Sequence, residues 1–250
     1  MMIDTTTEIS QPKSAIRGNP SFVWRAGQER RLAMLNNAVP LSGKTVLVDG
    51  CGLGAYVRGI RRFTTNVYGL DIEVDRVIEG AHHGTANLMA AVCEQLPYAD
   101  NTFDIVYSHE VLEHVQDDRQ ACREMSRVLR PGGYAALFVP NRLYPFETHG
   151  VYLRGRYHFG NKPLVNWLPD YWRNRLAPHV RAYTTGQLIG LFDGTPMRLE
   201  RITQIYPGFD NIVARFGAAG KALRAFMQGL EASPLRAFGL SHFLVMRKAE

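Results

Sequence analysis

The sequence has 250 residues, of which 46% are hydrophobic, 10% aromatic and 21% charged. These values are typical of a globular chain with one full core, and they exclude a disordered or fibrous protein. No stretch approaches the ~20 apolar residues that span a bilayer, and residues 1–14 lack the pattern of a secretory signal. The three cysteines, Cys51, Cys93 and Cys122, form no close pair. We therefore expect a cytoplasmic protein with neither a disulfide framework nor a zinc site, and no metal ion is expected.

The net charge of +6 is unevenly distributed along the chain. Residues 1–140 carry a net charge of −2, whereas residues 141–250 carry +8, and arginine supplies 24 of the 29 basic residues. A basic second half favours an anionic partner such as a phosphate or a lipid surface, although it is equally typical of an ordinary solvated surface. No run of basic residues is interleaved with aromatic ones, so no nucleic acid is expected as a partner.

Up to residue 140, the sequence predicts strands that alternate with helices after a polar arm over residues 1–18. Short apolar runs rich in β-branched residues predict buried strands, at residues 44–48, 66–70, 90–93, 103–107 and 134–139. Between them the apolar spacing predicts helices, at residues 19–37, 57–63, 73–82 and 116–129. Such alternation is typical of a parallel sheet that is covered on both faces.

After residue 140 the pattern is less regular. Residues 141–183 are rich in aromatic residues and arginine with little periodicity, residues 198–206 and 242–246 predict strands, and residues 211–231 have helical spacing. We expect residues 141–183 and 207–239 to be insertions that cover a binding site, because long connections in a compact domain are usually functional. An ordinary surface subdomain is the alternative.

The segment VLVDGCGLGA, residues 46–55, places glycines directly after a buried strand. Glycines there permit a tight turn and let a ligand approach the backbone. Asp71 ends the next strand, where a carboxylate can accept hydrogen bonds from both ribose hydroxyls. Together these features predict an adenosine-type ligand. Two alternatives are turn glycines with a helix-capping Asp71, and a dinucleotide.

Four motifs indicate which cofactor it is: DGCGLGAY, YGLDIE, CEQLPYADNTFDIVYSHEVLEHV and RVLRPGGYAALFVPN. Their order and spacing resemble the class I S-adenosylmethionine-dependent methyltransferases, in particular the type 11-like subgroup. The resemblance covers residues 43–140. It implies an α/β fold, Rossmann-like, with a doubly wound, seven-stranded, mostly parallel sheet, an antiparallel last strand at 242–246 and helical insertions in the C-terminal half. We expect one domain over residues 19–250, with the cofactor-binding half at 19–140.

The resemblance also implies the residues that bind S-adenosylmethionine. Ribose binding is expected of Asp71, adenine contacts of Ile72, Cys93 and Glu94, and a position beside the sulfonium of Ser108. The turn residues expected near the methionine part are Asp49, Gly50, Cys51, Gly52 and Gly54. Two positions depart from the family pattern, since Val48 and Val92 stand where acidic residues are usual. Because side chains alternate along a strand, Asp49 could point away from the ligand.

Methyl transfer to an oxygen benefits from a base that takes the proton of the acceptor, and histidine is the usual choice near neutral pH. His109 and His149 are the candidate catalytic bases, because each follows a predicted strand at the edge where open α/β sheets bind ligands. For both, a purely structural role is the alternative. His114, in the same region, is expected to be structural.

The acceptor is expected to be a small molecule, a sugar or a lipid-linked compound, methylated on oxygen and possessing an anionic group. Its candidate binding residues are Arg142, His149, Arg181 and Tyr183, since arginine pairs bidentately with phosphate and carboxylate. Residues 211–231 could also lie on a membrane surface as a basic amphipathic helix. Two alternative functions are a non-catalytic cofactor-binding scaffold, favoured only by Val48, and a nicotinamide-dependent oxidoreductase, disfavoured because no Tyr-x-x-x-Lys pair is present.

Overall fold

A computed structural model describes residues 24–250 of the chain. Its main sheet has seven strands in the spatial order β10-β11-β5-β4-β1-β2-β3. The strands are β1 (Val46–Asp49), β2 (Val67–Asp71), β3 (Leu88–Ala90), β4 (Phe103–His109), β5 (Leu129–Pro140), β10 (Met197–Ile205) and β11 (Ser241–Lys248). The helices are α1 (Ala26–Ala38), α2 (Ala55–Ile60), α3 (Val74–His82), α4 (Asp118–Val128), α5 (Asp170–Leu176), α6 (Thr185–Gly190) and α7 (Asp210–Gly229).

The sheet is mostly parallel. Strands β1 to β5 pair in parallel, and β11 pairs antiparallel with both β5 and β10. The seven-stranded, doubly wound fold and its antiparallel last strand are therefore confirmed. The third strand begins two residues before its predicted start. The predicted arm at 1–18 and the start of the first helix lie outside the described residues.

Two apolar layers cover the sheet, because successive side chains of a strand point to opposite faces. Val46 and Val48 pack with residues of α1 and α2, whereas Leu47 packs with residues of α4 and α6. Alternation places the side chain of Asp49 on the Leu47 face, at the carboxyl end of β1. Helix α4 begins where the Asp117 carboxylate accepts a 2.9 Å hydrogen bond from the Gln120 N–H, which satisfies one of the free donors of its first turn.

Residues 141–183 form a small subdomain beside the carboxyl edge of the sheet. It contains two antiparallel ladders, β6 (Phe146–Glu147) with β9 (Lys162–Pro163) and β7 (Val151–Leu153) with β8 (Arg156–His158). Sequence periodicity does not reveal strands of two or three residues. The buried ion pair between Arg173 Nη2 and Glu147 Oε2, at 2.9 Å, ties α5 to β6.

Helix α7 lies in the second insertion, and its backbone is kinked at Gly217. Phe216 and Phe226 are largely exposed along it. Within residues 24–250, no helix is both long enough and apolar enough to cross a membrane.

Candidate active site

A cavity of about 840 Å³ opens at the carboxyl ends of β1, β2 and β4. This is the edge at which open α/β sheets bind their ligands. Four connecting segments form most of its wall, and they contribute most of residues 49–56, 70–72, 91–94 and 109–117. The start of α1 forms another part of the wall. The volume is in the range of small-molecule and cofactor sites.

The glycine turn forms one wall of the cavity. Gly50 and Gly52 both have positive φ, at 68° and 53°, a region that β-branched residues avoid. A Cβ atom on Gly50 would lie 2.0 Å from Cγ2 of Val111. Gly54 lies outside the cavity wall and precedes α2, where a Cβ would lie 2.6 Å from Cγ2 of Thr85. Gly50 therefore permits the close packing of the turn against the segment after β4, and Gly54 the packing of α2.

Asp71 joins this turn to the end of β2. Its Oδ2 accepts a 2.8 Å hydrogen bond from the Gly52 N–H, and its Oδ1 accepts one of 2.9 Å from the Glu73 N–H. A carboxylate oxygen has two lone pairs, so it can accept more than one hydrogen bond. Asp71 lies on the cavity wall, as a ribose-binding role requires.

Asp49 lies on the wall of the same cavity, with 1% of its surface exposed. Burial and the neighbouring carboxylates of Asp71 and Glu94 raise its pKa to about 7. Among the described residues, neither of its carboxyl oxygens makes a hydrogen bond of good geometry, although the Ser108 hydroxyl and the Gly50 N–H lie near enough to oppose part of this rise in pKa. A buried carboxylate of this kind is stabilised by a cation or by a hydrogen-bond donor.

The charge of the cavity wall indicates whether the site suits a cationic adenosine ligand or an anionic dinucleotide. Five acidic residues line the cavity, namely Asp49, Asp71, Glu94, Glu110 and Asp117. A pyrophosphate bound at the glycine turn would need free backbone N–H groups there, but the Gly52 N–H is bonded to Asp71 and the Gly54 N–H to the Cys51 carbonyl. The site thus fits a cationic ligand better than a dinucleotide.

Most of the predicted cofactor residues are brought together here. The cavity wall contains Asp49, Gly50, Cys51, Gly52, Asp71, Ile72, Cys93 and Glu94. Ser108 lies at the carboxyl end of β4, adjacent to Asp49 across the β1–β4 pairing, and is buried rather than on the wall. Their roles as ligand contacts stay predictions.

His109 also lies on the cavity wall, packed among the rings of Tyr56, Tyr107 and Phe138 at centroid distances of 4.9 to 6.4 Å. Its Nε2 is buried and has no hydrogen-bond partner within residues 24–250. Burial, with a smaller contribution from the Arg31 guanidinium, holds its pKa well below the usual value of 6.5. His109 is therefore a neutral imidazole at physiological pH, and the burial that keeps it neutral also makes it a weaker base than an exposed histidine.

His149 lies behind this wall rather than on it. Its ring centroid is 5.2 Å from that of His114, which does line the cavity. The Nδ1 of His149 is 3.0 Å from Oε1 of Glu147. Burial and the nearby His149 lower the pKa of His114 to about 4.

The predicted acceptor residues of the second half lie away from the cavity wall, and their polar groups bond to the protein itself. Arg142 Nη2 donates to the Leu168 carbonyl at 2.6 Å and to Asp170 at 2.7 Å. Arg181 donates to the carbonyls of Val115 and Gln116. The Tyr183 hydroxyl lies 3.0 Å from both the Leu112 carbonyl and Asp118.

Arg181 nevertheless acts on the site indirectly, because Val115 and Gln116 are part of the cavity wall. Direct contact between an acceptor and Arg142 or Arg181 would require replacing one of these bonds. The acceptor roles of Arg142, Arg181 and Tyr183 stay predictions.

Sequence reasoning missed several polar side chains of the wall, one of them in a strained backbone conformation. Arg25 and Gln28, at the start of α1, and Arg76, on α3, belong to elements that no motif linked to the glycine turn. Glu110 lies on the wall with φ at 56°, which is uncommon for a residue other than glycine and is often found at functional sites. The position of Glu110 directly after His109, at the end of β4, was the feature of the sequence that could have indicated its place in the site.

Comparison with known proteins finds similarity to methyltransferases over the first half of the described chain. Residues 47–137 match the family model described as a methyltransferase domain. The chain is 32% identical over 145 residues to phosphoethanolamine N-methyltransferase 3 of Arabidopsis thaliana, covering 54% of this chain and 29% of that protein. It is 30% identical over 138 residues to the ubiquinone biosynthesis O-methyltransferase of Rhizobium rhizogenes, covering 53% of each. The chain thus spans about half or less of the curated relatives it matches.

Solved structures share the fold over most of the chain. A putative S-adenosylmethionine-dependent methyltransferase from Listeria monocytogenes superimposes with a TM-score of 0.61 at 16% identity, covering 90% of this chain and 98% of that one. The [4+2]-cyclase SpnF superimposes with a TM-score of 0.60 at 19% identity, covering 90% of this chain and 82% of that one. Identities this low establish the fold and not the reaction.

Proposed function

We propose that this chain, a member of the class I S-adenosylmethionine-dependent methyltransferase superfamily, transfers the methyl group of S-adenosylmethionine to an oxygen atom of a small-molecule, sugar or lipid-linked acceptor. The observation that carries the proposal is the acid-lined cavity at the glycine turn, where Asp49 and Asp71 lie together. S-adenosylmethionine is cationic at sulfur and at its amino group, so these carboxylates complement it. The pyrophosphate of a dinucleotide would instead place two negative charges beside these carboxylates.

The residues present fit this cofactor. Asp71 would accept hydrogen bonds from the ribose hydroxyls, and Ile72 and Cys93 offer apolar surface to the adenine. The turn with positive φ at Gly50 and Gly52 would let the methionine part lie along the backbone, and Arg25 on the cavity wall is the candidate partner of its carboxylate. When bound, S-adenosylmethionine supplies a methyl group already activated by a cationic sulfur.

The protein then has to align the acceptor, exclude water and remove one proton. His109 is the candidate for the proton, because the residue lines the cavity and its buried Nε2 has no hydrogen-bond partner among the described residues. An imidazole kept neutral by burial has a lone pair available for the acceptor hydroxyl at physiological pH. The rings around it restrict the access of water to the same atom.

Oxygen and nitrogen acceptors are both represented among the relatives, one of which is named for phosphoethanolamine and another for ubiquinone biosynthesis. We favour oxygen for this chain because an alcohol or phenol needs the base that His109 provides. An anionic group on the acceptor is supported by the net +8 of residues 141–250. Contact with a membrane surface, through the exposed Phe216 and Phe226 of α7 and the basic residues beside them, would suit a lipid-linked acceptor.

The decisive experiment follows the formation of S-adenosylhomocysteine by the purified full chain. Acceptors are supplied in separate arms, with phenols and catechols, sugar phosphates and polyprenyl-linked sugars as oxygen acceptors and phosphoethanolamine as the amine. The Gly52→Val variant controls for background. Turnover in an oxygen arm supports the proposal, and turnover with the amine alone contradicts the oxygen assignment.

A non-catalytic scaffold is the second candidate, favoured by Val48 at a position where the family usually has an acid. The structure of the [4+2]-cyclase shows that this fold also serves proteins named for another reaction. Tight binding of S-adenosylhomocysteine without turnover in any arm would favour the scaffold. Binding of NAD in place of S-adenosylhomocysteine would favour an oxidoreductase.

A further inference from the structure

Glu113, His114 and His149 converge beside the cavity, although they come from two separate segments of the chain. One ligand atom of each, a carboxylate oxygen or a ring nitrogen, lies within 4.8 Å of those of the other two. Glu113 and His114 follow β4, whereas His149 follows β6. Two imidazoles and one carboxylate are a ligand set that binds divalent transition metals.

Glu113 is the member of the group that most needs a partner. Its surface is 1% exposed, and neither carboxylate oxygen makes a hydrogen bond of good geometry within residues 24–250, although the Glu110 carboxyl and the Glu113 backbone N–H lie near it. A buried carboxylate without a partner is costly unless a cation or a donor compensates it. The Glu110 carboxylate nearby adds to the negative potential, which makes the compensation by a cation more favourable.

In both histidines Nδ1 faces a hydrogen-bond acceptor, and within the described part of the chain no hydrogen bond to Nε2 is present, so Nε2 is the candidate metal ligand. The Nδ1 of His114 is 3.3 Å from the His179 carbonyl oxygen, and a carbonyl can only accept. The Nδ1 of His149 is 3.0 Å from the Glu147 carboxylate, which likewise accepts. In each neutral ring the proton therefore lies on Nδ1 and the lone pair on Nε2.

The groups behind the ligands resemble the outer shell of natural metal sites. Glu147 bonds to His149 through Oε1 and to the buried Arg173 through Oε2, at 2.9 Å. A carboxylate that fixes the orientation of a ligating histidine is a recurrent feature of such sites, and its loss typically weakens metal binding. The salt bridge to Arg173 holds this carboxylate in place.

We propose that Glu113, His114 and His149 bind a divalent metal ion of the zinc class beside the cavity. An ion about 2.1 Å from each donor requires only a small inward movement of the three side chains. Three protein ligands leave a further position for water or for an oxygen atom of the acceptor. His114 lies on the cavity wall, so the metal would hold an acceptor oxygen near the methyl group. This role rests on the proposed function, whereas the binding of the ion does not.

The test is equilibrium dialysis of the chelator-treated full chain against Zn²⁺, Co²⁺ and Mg²⁺, with the bound metal measured by mass spectrometry. We expect one equivalent of Zn²⁺ or Co²⁺ and none of Mg²⁺, with visible absorption of the Co²⁺ form. Glu113→Gln and His149→Gln should each weaken binding roughly 100-fold or more, and the exposed His82→Ala should bind like the wild type. Circular dichroism and the affinity for S-adenosylhomocysteine verify that the variants are folded.

Equal Zn²⁺ uptake by the wild type and by Glu113→Gln or His149→Gln overturns the proposal, as does uptake of Mg²⁺ alone. Glutamine has nearly the same shape as glutamate and carries no charge, so we expect Glu113→Gln to fold; if it does not, His149→Gln decides. Zn²⁺ bound by a chain that has no methyltransferase activity would support the site and argue against the proposed function. Methyltransferase activity without Zn²⁺ binding would argue against the metal site and support the proposed function.

Discussion

The Gly52 N–H donates a 2.8 Å hydrogen bond to Oδ2 of Asp71, which joins the turn after β1 to the end of β2. The same carboxylate is the candidate ribose acceptor, so one side chain both shapes the glycine turn and faces the ligand. Because of this hydrogen bond, substituting either residue also affects the position of the other. It also explains why a pyrophosphate would find no free N–H at Gly52.

We expect Asp71→Ala to weaken the binding of S-adenosylhomocysteine by about 1.5–3 kcal/mol, or roughly 10- to 150-fold, the scale of hydrogen bonds to a charged group. Isothermal titration calorimetry measures this loss. The Asp193→Ala variant, at an exposed position, serves as the control. Unchanged affinity in Asp71→Ala would remove the ribose assignment.

Gly52→Val should abolish cofactor binding while the chain stays folded, because the side chain occupies the space beside the turn. A β-branched residue at positive φ is also strained. Gly43→Val is a matched control, since Gly43 has φ at 71° and a Cβ there would have nothing within 4 Å. It carries similar strain far from the cavity. If Gly52→Val is folded by circular dichroism and binds tightly, the cofactor lies elsewhere.

The raised pKa of Asp49 makes stability depend on pH. The folded chain holds the proton of Asp49 up to pH about 7, whereas the unfolded chain releases it near 3.8. Stability from this group is therefore full below about pH 4 and is lost as the pH rises to about 7. We expect Asp49→Asn to be more stable than the wild type by about 1–3 kcal/mol at pH near 8, with a flatter dependence.

Urea unfolding at pH about 5 and about 8 measures this difference. Asp193→Asn, at an exposed aspartate, should follow the wild type at both values. Parallel curves for Asp49→Asn and the wild type would show that Asp49 is already compensated.

His109→Gln is expected to lower kcat by about 10²- to 10⁴-fold, the usual contribution of a general base. Because burial holds its pKa well below 6.5, the acid limb of the wild-type kcat/KM profile should also lie well below pH 6.5. His82→Gln, at an exposed histidine, is the control. An acid limb near 6.5, or full activity of His109→Gln, would assign the base elsewhere.

Lysine at Arg142 or Arg181 is expected to raise the KM of an anionic acceptor about 10-fold, because an ammonium cannot reproduce two directed bonds. Affinity for S-adenosylhomocysteine should stay the same in both variants. For Arg181→Lys, part of the effect would come from the Val115 and Gln116 carbonyls that Arg181 now holds. If both variants keep wild-type acceptor kinetics, or if the acceptor is neutral, the basic residues of 141–250 are surface charge without a role in acceptor binding.

Much of the cofactor half could be predicted from the sequence because its contacts are local. The glycine turn and the strand before it are ten consecutive residues, and Asp71 is fixed by the end of the next strand. Where the prediction was less complete, the cause was the size or separation of the elements. Strands of two or three residues such as β6 to β9 carry no periodic signal. Arg25 reaches the cavity from the start of α1, 25 residues before Gly50.

The alternation of strands and helices, the glycine turn and the acidic end of β2 can all be predicted from the sequence, since each depends on backbone conformation within a few residues. The burial and the charged neighbours of the site residues follow only from the tertiary structure. It placed Asp49 against Asp71 and Glu94, buried His109 among aromatic rings and brought His149 to Glu113 across more than thirty residues of chain. Burial and the electrostatic field at a side chain come from groups distant in sequence, and these groups set the pKa values and the ligand geometry on which chemistry depends.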